Sequence, residues 1–201
     1  MWDGTCGGYA FADVAICKTV LQHITDAITI LEKMRDSVVP GGKVICMECD
    51  RNIANAMMYF DGIDYERLNN LGVLQKLWFE DFRRSGMDHN IGMKIPVYMQ
   101  KIGLRDVEVR LNDRVGFINP QGNGEIYAAE LDSFLASGWG DFECDREKTV
   151  GSLMNRGLTL EEAEYQFDCE MVYNRFMREC GGEAMIVHAL GLIVSFGTVE
   201  G

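Results

Sequence analysis

Two short apolar runs near the start of the chain, Asp13 to Cys17 and Lys43 to Cys49, have the length and composition of buried parallel strands. Between them Ile24, Ala27, Ile28, Leu31, Met34 and Val38 recur at helical spacing. Thr25 is the expected N-cap of that helix and Asp26 lies in its first turn. Pro40-Gly41-Gly42 is expected to end the helix and turn the chain. The pattern predicts a strand–helix–strand unit, which is almost always a right-handed crossover between parallel strands.

Residues 51–70 lack a clear period and are expected to be irregular. Leu71, Leu74, Leu77, Trp78 and Phe82 mark a helix to Arg84. A second helix covers Tyr98 to Ile102, with an earlier start allowed by Ile91, Ile95 and Pro96 in a first turn, and Gly103 as its stop. Val107, Val109 and Leu111 alternate with charged residues and predict a half-exposed strand continuing toward Phe117. Helices are expected over Glu125–Ser137 and from Thr159, with Glu162 completing a capping box, to Cys180 before Gly181-Gly182. Ala184–Gly197 reads as one apolar strand.

The chain has 201 residues, 47% hydrophobic and 25% charged, enough to bury a real core. A net charge of −12 argues against nucleic acid or an anionic membrane as the main partner. Seven cysteines cannot all pair within one chain, and reduced, mostly buried thiols in a cytoplasmic protein are the expected state. Cys46 and Cys49, three apart in a strand, point to opposite faces, against a shared metal or redox pair. His89 and His188 stand apart from other ligand types, and no metal site is expected. No signal peptide or membrane-spanning stretch is legible.

Asp13-Val-Ala-Ile-Cys-Lys-Thr-Val-Leu-Gln-His23, Val39-Pro-Gly-Gly-Lys43, Ile102-Gly-Leu-Arg-Asp-Val-Glu-Val109 and Leu190–Gly197 follow one another in an order that resembles class I S-adenosylmethionine-dependent methyltransferases. They resemble the fourth strand and its following loop, the turn before the fifth strand, the entry to the sixth, and the seventh, antiparallel strand. The fold this implies is α/β: a partial Rossmann-like three-layer sandwich with a mixed sheet, parallel strands plus a last antiparallel strand. It forms a single domain over 1–201, a truncated methyltransferase-like core. Residues 120–183 are a helical insertion before the last strand, able to act as a lid.

The resemblance begins at the family's second half. Its glycine-rich cofactor loop and the acidic end of its second strand have no match in this sequence. Asp3-Gly-Thr-Cys-Gly-Gly8 precedes a strand, whereas a nucleotide loop should follow one and open a helix. The family's first strand would lie beside its fourth, so Asp13–Cys17 is expected to be a bare edge and to pair with a second copy or a partner chain.

In open α/β sheets ligands bind beyond the carboxyl ends of the parallel strands. By resemblance, Lys18, Thr19, Gln22 and His23 would lie near S-adenosylmethionine, although His23 could equally cap its helix. Glu48, ending an otherwise apolar strand, could be a catalytic base or form a salt bridge with Arg51. Asn52, Asn55 and Tyr59 could bind a small polar substrate, although loop asparagines often form turns. The expected function is the C-terminal part of a small-molecule methyltransferase whose activity needs the first half. The alternative is a non-catalytic dimerisation or binding module.

Overall fold

The protein is described here by a computed structural model covering residues 10–136, 144–180 and 182–201. In chain order the elements are β1 (Ala12–Lys18), α1 (Ala27–Ser37), β2 (Val38–Cys49), α2 (Arg51–Ala56), β3 (Met58–Phe60), α3 (Tyr65–Leu68), α4 (Leu71–Ser85), α5 (Ile95–Lys101), β4 (Arg105–Leu111), β5 (Val115–Ile118), α6 (Gly124–Ala136), α7 (Arg146–Asn155), α8 (Leu160–Glu179), β6 (Ile186–Ala189) and β7 (Leu192–Thr198). Short 3-10 turns lie at Leu21–His23 and Ile91–Met93. The readings of Asp3–Gly8, Ser137 and Gly181 fall outside the described residues. Two compact units result: Met1–Arg51 with Arg84–Asn112 and Gly191–Gly201, and Asn52–Arg83 with Asp113–Leu190.

The first unit holds a mixed α/β sheet of Rossmann-like type, in the order β1-β2-β7-β4. β1 and β2 are parallel, and β7 runs antiparallel to both β2 and β4. Cross-strand rows fix the register: Ile16 faces Ile45, which faces Phe196, and Cys17 faces Cys46, which faces Ser195. One face is covered. Ala27 and Leu31 of α1 and Ile95 and Met99 of α5 pack with Cys17, Val44 and Cys46 in one core. The other face carries Val14 and Ile16, 45% and 61% exposed, beside half-buried Ile45, Met47, Val194 and Phe196. Among the described residues, nothing pairs with the outer edge of β1.

Several local expectations change. Asp26, not Thr25, caps α1: its carboxylate accepts from the Thr29 backbone N–H at 3.1 Å. The Pro40-Gly41-Gly42 segment is not a turn between elements but a bulge inside β2, since Ala12 pairs with Val38 and Val14 already with Lys43. Gly42 is required there. A Cβ would come within 2.5 Å of the Asp13 carbonyl oxygen and of Val38 Cγ1.

The second unit is built around an antiparallel sheet, β3-β6-β5. Phe60 is its centre, met edge-on by Phe134, Tyr173 and Phe176 with ring centroids 5.1–5.7 Å away. A second cluster joins Leu77 of α4 to Val150, Leu153, Leu158, Ala163 and Phe167. Thr159 and Glu162 form the expected reciprocal capping box of α8. Three expectations change in this unit. The region 51–70 holds α2, β3 and α3 rather than irregular chain. The expected strand from Val107 toward Phe117 is two strands in two sheets, β4 and β5. The apolar run Ala184–Gly197 is likewise split into β6 and β7 at Gly191, whose φ of +59° suits a residue without a side chain.

Candidate functional site

The carboxyl end of β1 runs into a strained loop. Thr19 has φ +51°, a conformation that a β-branched residue rarely adopts. Its N–H donates to the Met47 carbonyl at 2.8 Å, which fixes the start of the bend to β2. The next two backbone N–H groups, of Val20 and Leu21, then point at one acceptor. Glu48 Oε1 receives both, at 3.0 and 2.9 Å. The Cys17 thiol approaches the same oxygen at 3.7 Å.

Glu48 itself is fully buried. The alternating pattern of β2 turns Val44, Cys46 and Glu48 to the covered face, so the carboxylate enters the core side of the sheet where the loop must be held. A buried carboxylate is tolerable only with hydrogen-bond donors around it. The two N–H groups supply them for Oε1, whereas Oε2 has no hydrogen-bond partner. Burial and the Glu48 charge push the Cys17 thiol up to about 11, so it stays protonated at neutral pH. The Ile91–Met93 turn closes over the end of β2. A Cβ on Gly92 would lie 2.9 Å from the Glu48 carbonyl oxygen.

Around this anchor the structure gathers four of the sequence-selected residues. Lys18 and His23 are exposed and Thr19 is half-buried. Gln22 is buried, and its side-chain oxygen has no hydrogen-bond partner. Gln22 thus keeps its acceptor inside the loop, whereas Lys18 and His23 are exposed polar side chains on it. Asn52, Asn55 and Tyr59 belong to the second unit. Asn52 receives a long hydrogen bond of 3.5 Å from Gln75, Asn55 is buried in α2, and the Tyr59 hydroxyl donates to Asp61 at 3.2 Å. Sequence reasoning missed the backbone groups of Val20 and Leu21 and the role of Gly92. A carboxylate ending an apolar strand was the available signal that something nearby must donate to it.

Among the described residues no group of three or more His, Cys, Asp or Glu is placed to hold a metal ion, and no helix is long and apolar enough to cross a membrane. Six described cysteines are free thiols.

No family model matches the chain, and neither does any curated sequence. Solved structures do. A Haemonchus contortus phosphoethanolamine N-methyltransferase 2, bound to phosphomonomethylethanolamine and S-adenosylhomocysteine, matches 94% of this chain and 33% of its own at 12% identity and TM-score 0.38. A proposed methyltransferase of Bacillus halodurans matches 94% of this chain and 70% of its own at 7% identity and TM-score 0.38. A proposed sarcosine dimethylglycine methyltransferase of Galdieria sulphuraria matches 98% and 57% at 10% identity and TM-score 0.35. The chain thus spans about a third of the length of the Haemonchus neighbour. Likenesses this distant carry no argument about chemistry. The strand order and the loop after β1 must carry it.

The anchor predicts its own mutational signature. Glu48→Ala strands the Val20 and Leu21 N–H groups in the core and is expected to cost about 2–5 kcal/mol of unfolding free energy in urea. Glu48→Gln keeps an acceptor oxygen and should lose clearly less. Thr19→Gly relieves the positive φ and should gain up to about 1 kcal/mol. A Glu48→Ala protein as stable as the wild type would remove the anchor from the account.

Proposed function

We propose that this chain is the C-terminal part of an S-adenosylmethionine-dependent methyltransferase for a small-molecule acceptor. The observation that carries the reading is the first unit's sheet. An antiparallel last strand is inserted beside two parallel strands, in the order that the four sequence segments imply for the family. The loop after β1 supports it, because strained backbone held by surrounding structure is characteristic of ligand sites.

In this reading Lys18, Thr19, Gln22 and His23 contact the cofactor, whose sulfonium supplies the methyl group. The chain's own residues bind and orient, which is the main requirement of an in-line displacement. Glu48 acts through its neighbours: buried and bound to two backbone N–H groups, it sets the loop's shape. In this reading it is a positioning residue and not a catalytic base. Asn52, Asn55 and Tyr59, all in the second unit, keep their proposed role as groups for a small polar molecule.

Among the described residues no glycine-rich loop follows a strand, and in this reading the principal cofactor grip belongs to a first half that pairs beside β1. Without it the free edge takes a second copy of the chain. An edge strand is self-complementary under two-fold symmetry, and exposed Val14 and Ile16 add apolar area to the outward amides. The second reading, a non-catalytic binding module, is favoured by this same bare edge and separates from the first by cofactor affinity.

Isothermal titration of residues 1–201 with S-adenosylhomocysteine is expected to show no binding at about 1 mM. Fusion of a strand–glycine loop–acidic strand segment before Met1 should then restore micromolar affinity. Micromolar binding by 1–201 alone would contradict the requirement for a first half, and a correctly folded fusion that still fails to bind would favour the non-catalytic reading. Light scattering should give twice the chain mass at about 50 µM, falling to the monomer for Ile16→Lys. A wild-type chain that stays monomeric would remove the pairing proposal.

A further inference from the structure

The second unit contains a cavity of about 480 Å³ that the methyltransferase reading does not use. Its size lies within the range of sites that hold drug-sized molecules, roughly 300–1,000 Å³. Strands β5 and β6 supply one wall and α6 the other.

The wall is organised by one glycine. Gly116 is the cross-strand partner of His188, and a Cβ on it would stand 2.6 Å from His188 Nε2. The imidazole therefore lies across Gly116, in the space that any other residue would fill. Phe134 meets the ring from α6, edge to face, with centroids 4.9 Å apart. A strand glycine that lets another group approach the backbone is a recurrent device at ligand sites. Burial holds His188 below the usual histidine range despite the nearby Glu130 carboxylate, and Arg114 lowers it further. The neutral ring accepts through one nitrogen; the His188 backbone is paired within the sheet, and among the described residues no hydrogen bond reaches the imidazole.

The remaining lining is mostly apolar. Phe134 and Ile118 form a buried floor, 4% and 1% exposed, whereas Ile126 and Leu190 stand 57% and 50% exposed. Large aliphatic side chains left so open beside a cavity invite an apolar occupant. Charge narrows its class. Arg114 and Glu130 both line the cavity, so a cation meets one like charge and an anion the other. The two charges offset one another and favour a neutral molecule; Ser133 adds a hydroxyl to the lining, and the His188 ring takes a hydrogen-bond donor.

We propose that this cavity binds a neutral aromatic alcohol, its ring against Phe134 and Ile118 and its hydroxyl donating to His188. The proposal stands apart from the cofactor reading and from the chain's oligomeric state.

The probe is 2-naphthol, compared with 2-methoxynaphthalene, which has the same ring system but no donor. The sequence has three histidines, so the His188 imidazole signals are assigned by their loss in His188→Phe. Titration with 2-naphthol should shift those signals saturably, and 2-methoxynaphthalene should bind about tenfold or more weakly, as expected when a site built for a hydroxyl meets an analogue without one. Ala129→Phe, at an exposed cavity-lining position on α6, should fill the space and abolish the shift while the protein stays folded. No saturable shift in the wild type, equal affinity for the methyl ether, or an unchanged shift in Ala129→Phe would each overturn the proposal.

Discussion

The carboxylate of Glu48 is the constraint on which the first unit's loop geometry depends. It sits inside the core at the end of β2 and terminates two backbone N–H groups of the loop that leaves β1. Such a group is costly to bury and therefore fixes its surroundings: the loop must bring donors to it, and Thr19 must take a positive φ to do so. Cys17, Val20, Leu21 and Glu48 thus act as one unit. Lys18 and His23 are exposed on that loop and Gln22 is buried within it.

That rigidity contrasts with what lies beside it. β1 carries the loop, yet its outer edge has no strand neighbour among the described residues, and the sheet face it shares with Ile45 and Phe196 is only half-buried. Edge strands normally carry charges, proline or bulges that discourage pairing. β1 carries exposed Asp13 and Lys18, yet between them Val14 and Ile16 stand 45% and 61% exposed. The bulge at Pro40–Gly42 lies on β2.

The parts of the fold legible in the sequence were those with one clear period. The β1–α1–β2 unit, α4, α6 and the Thr159 capping box all follow from local spacing. The second unit's sheet was not legible. β3 is three residues long, too short for alternation to register, and β5 and β6 continue without a break of pattern from β4 and into β7. What separates them is a change of hydrogen-bonding partner, which a one-dimensional pattern does not encode. The candidate site was legible in part. The rule that ligands gather beyond strand ends selected Lys18 to His23, and an isolated acidic residue drew attention to Glu48. That Glu48 would bond to backbone rather than to Arg51 was hidden, because the Val20 and Leu21 N–H groups have no side-chain signature.

Pairing along the outer edge of β1 is the proposal on which the rest depends. Thr19 N–H donates to Met47 and Phe11 N–H to Ser37, so by alternation the amides of Val14, Ile16 and Lys18 point away from β2. Residue-resolved hydrogen exchange measures whether they are paired. The account predicts protection at these three amides that rises with protein concentration, on the order of a hundredfold between dilute and concentrated solution, while Cys17 stays protected throughout. Exchange at Val14, Ile16 and Lys18 at the rate of free amides, whatever the concentration, would contradict it.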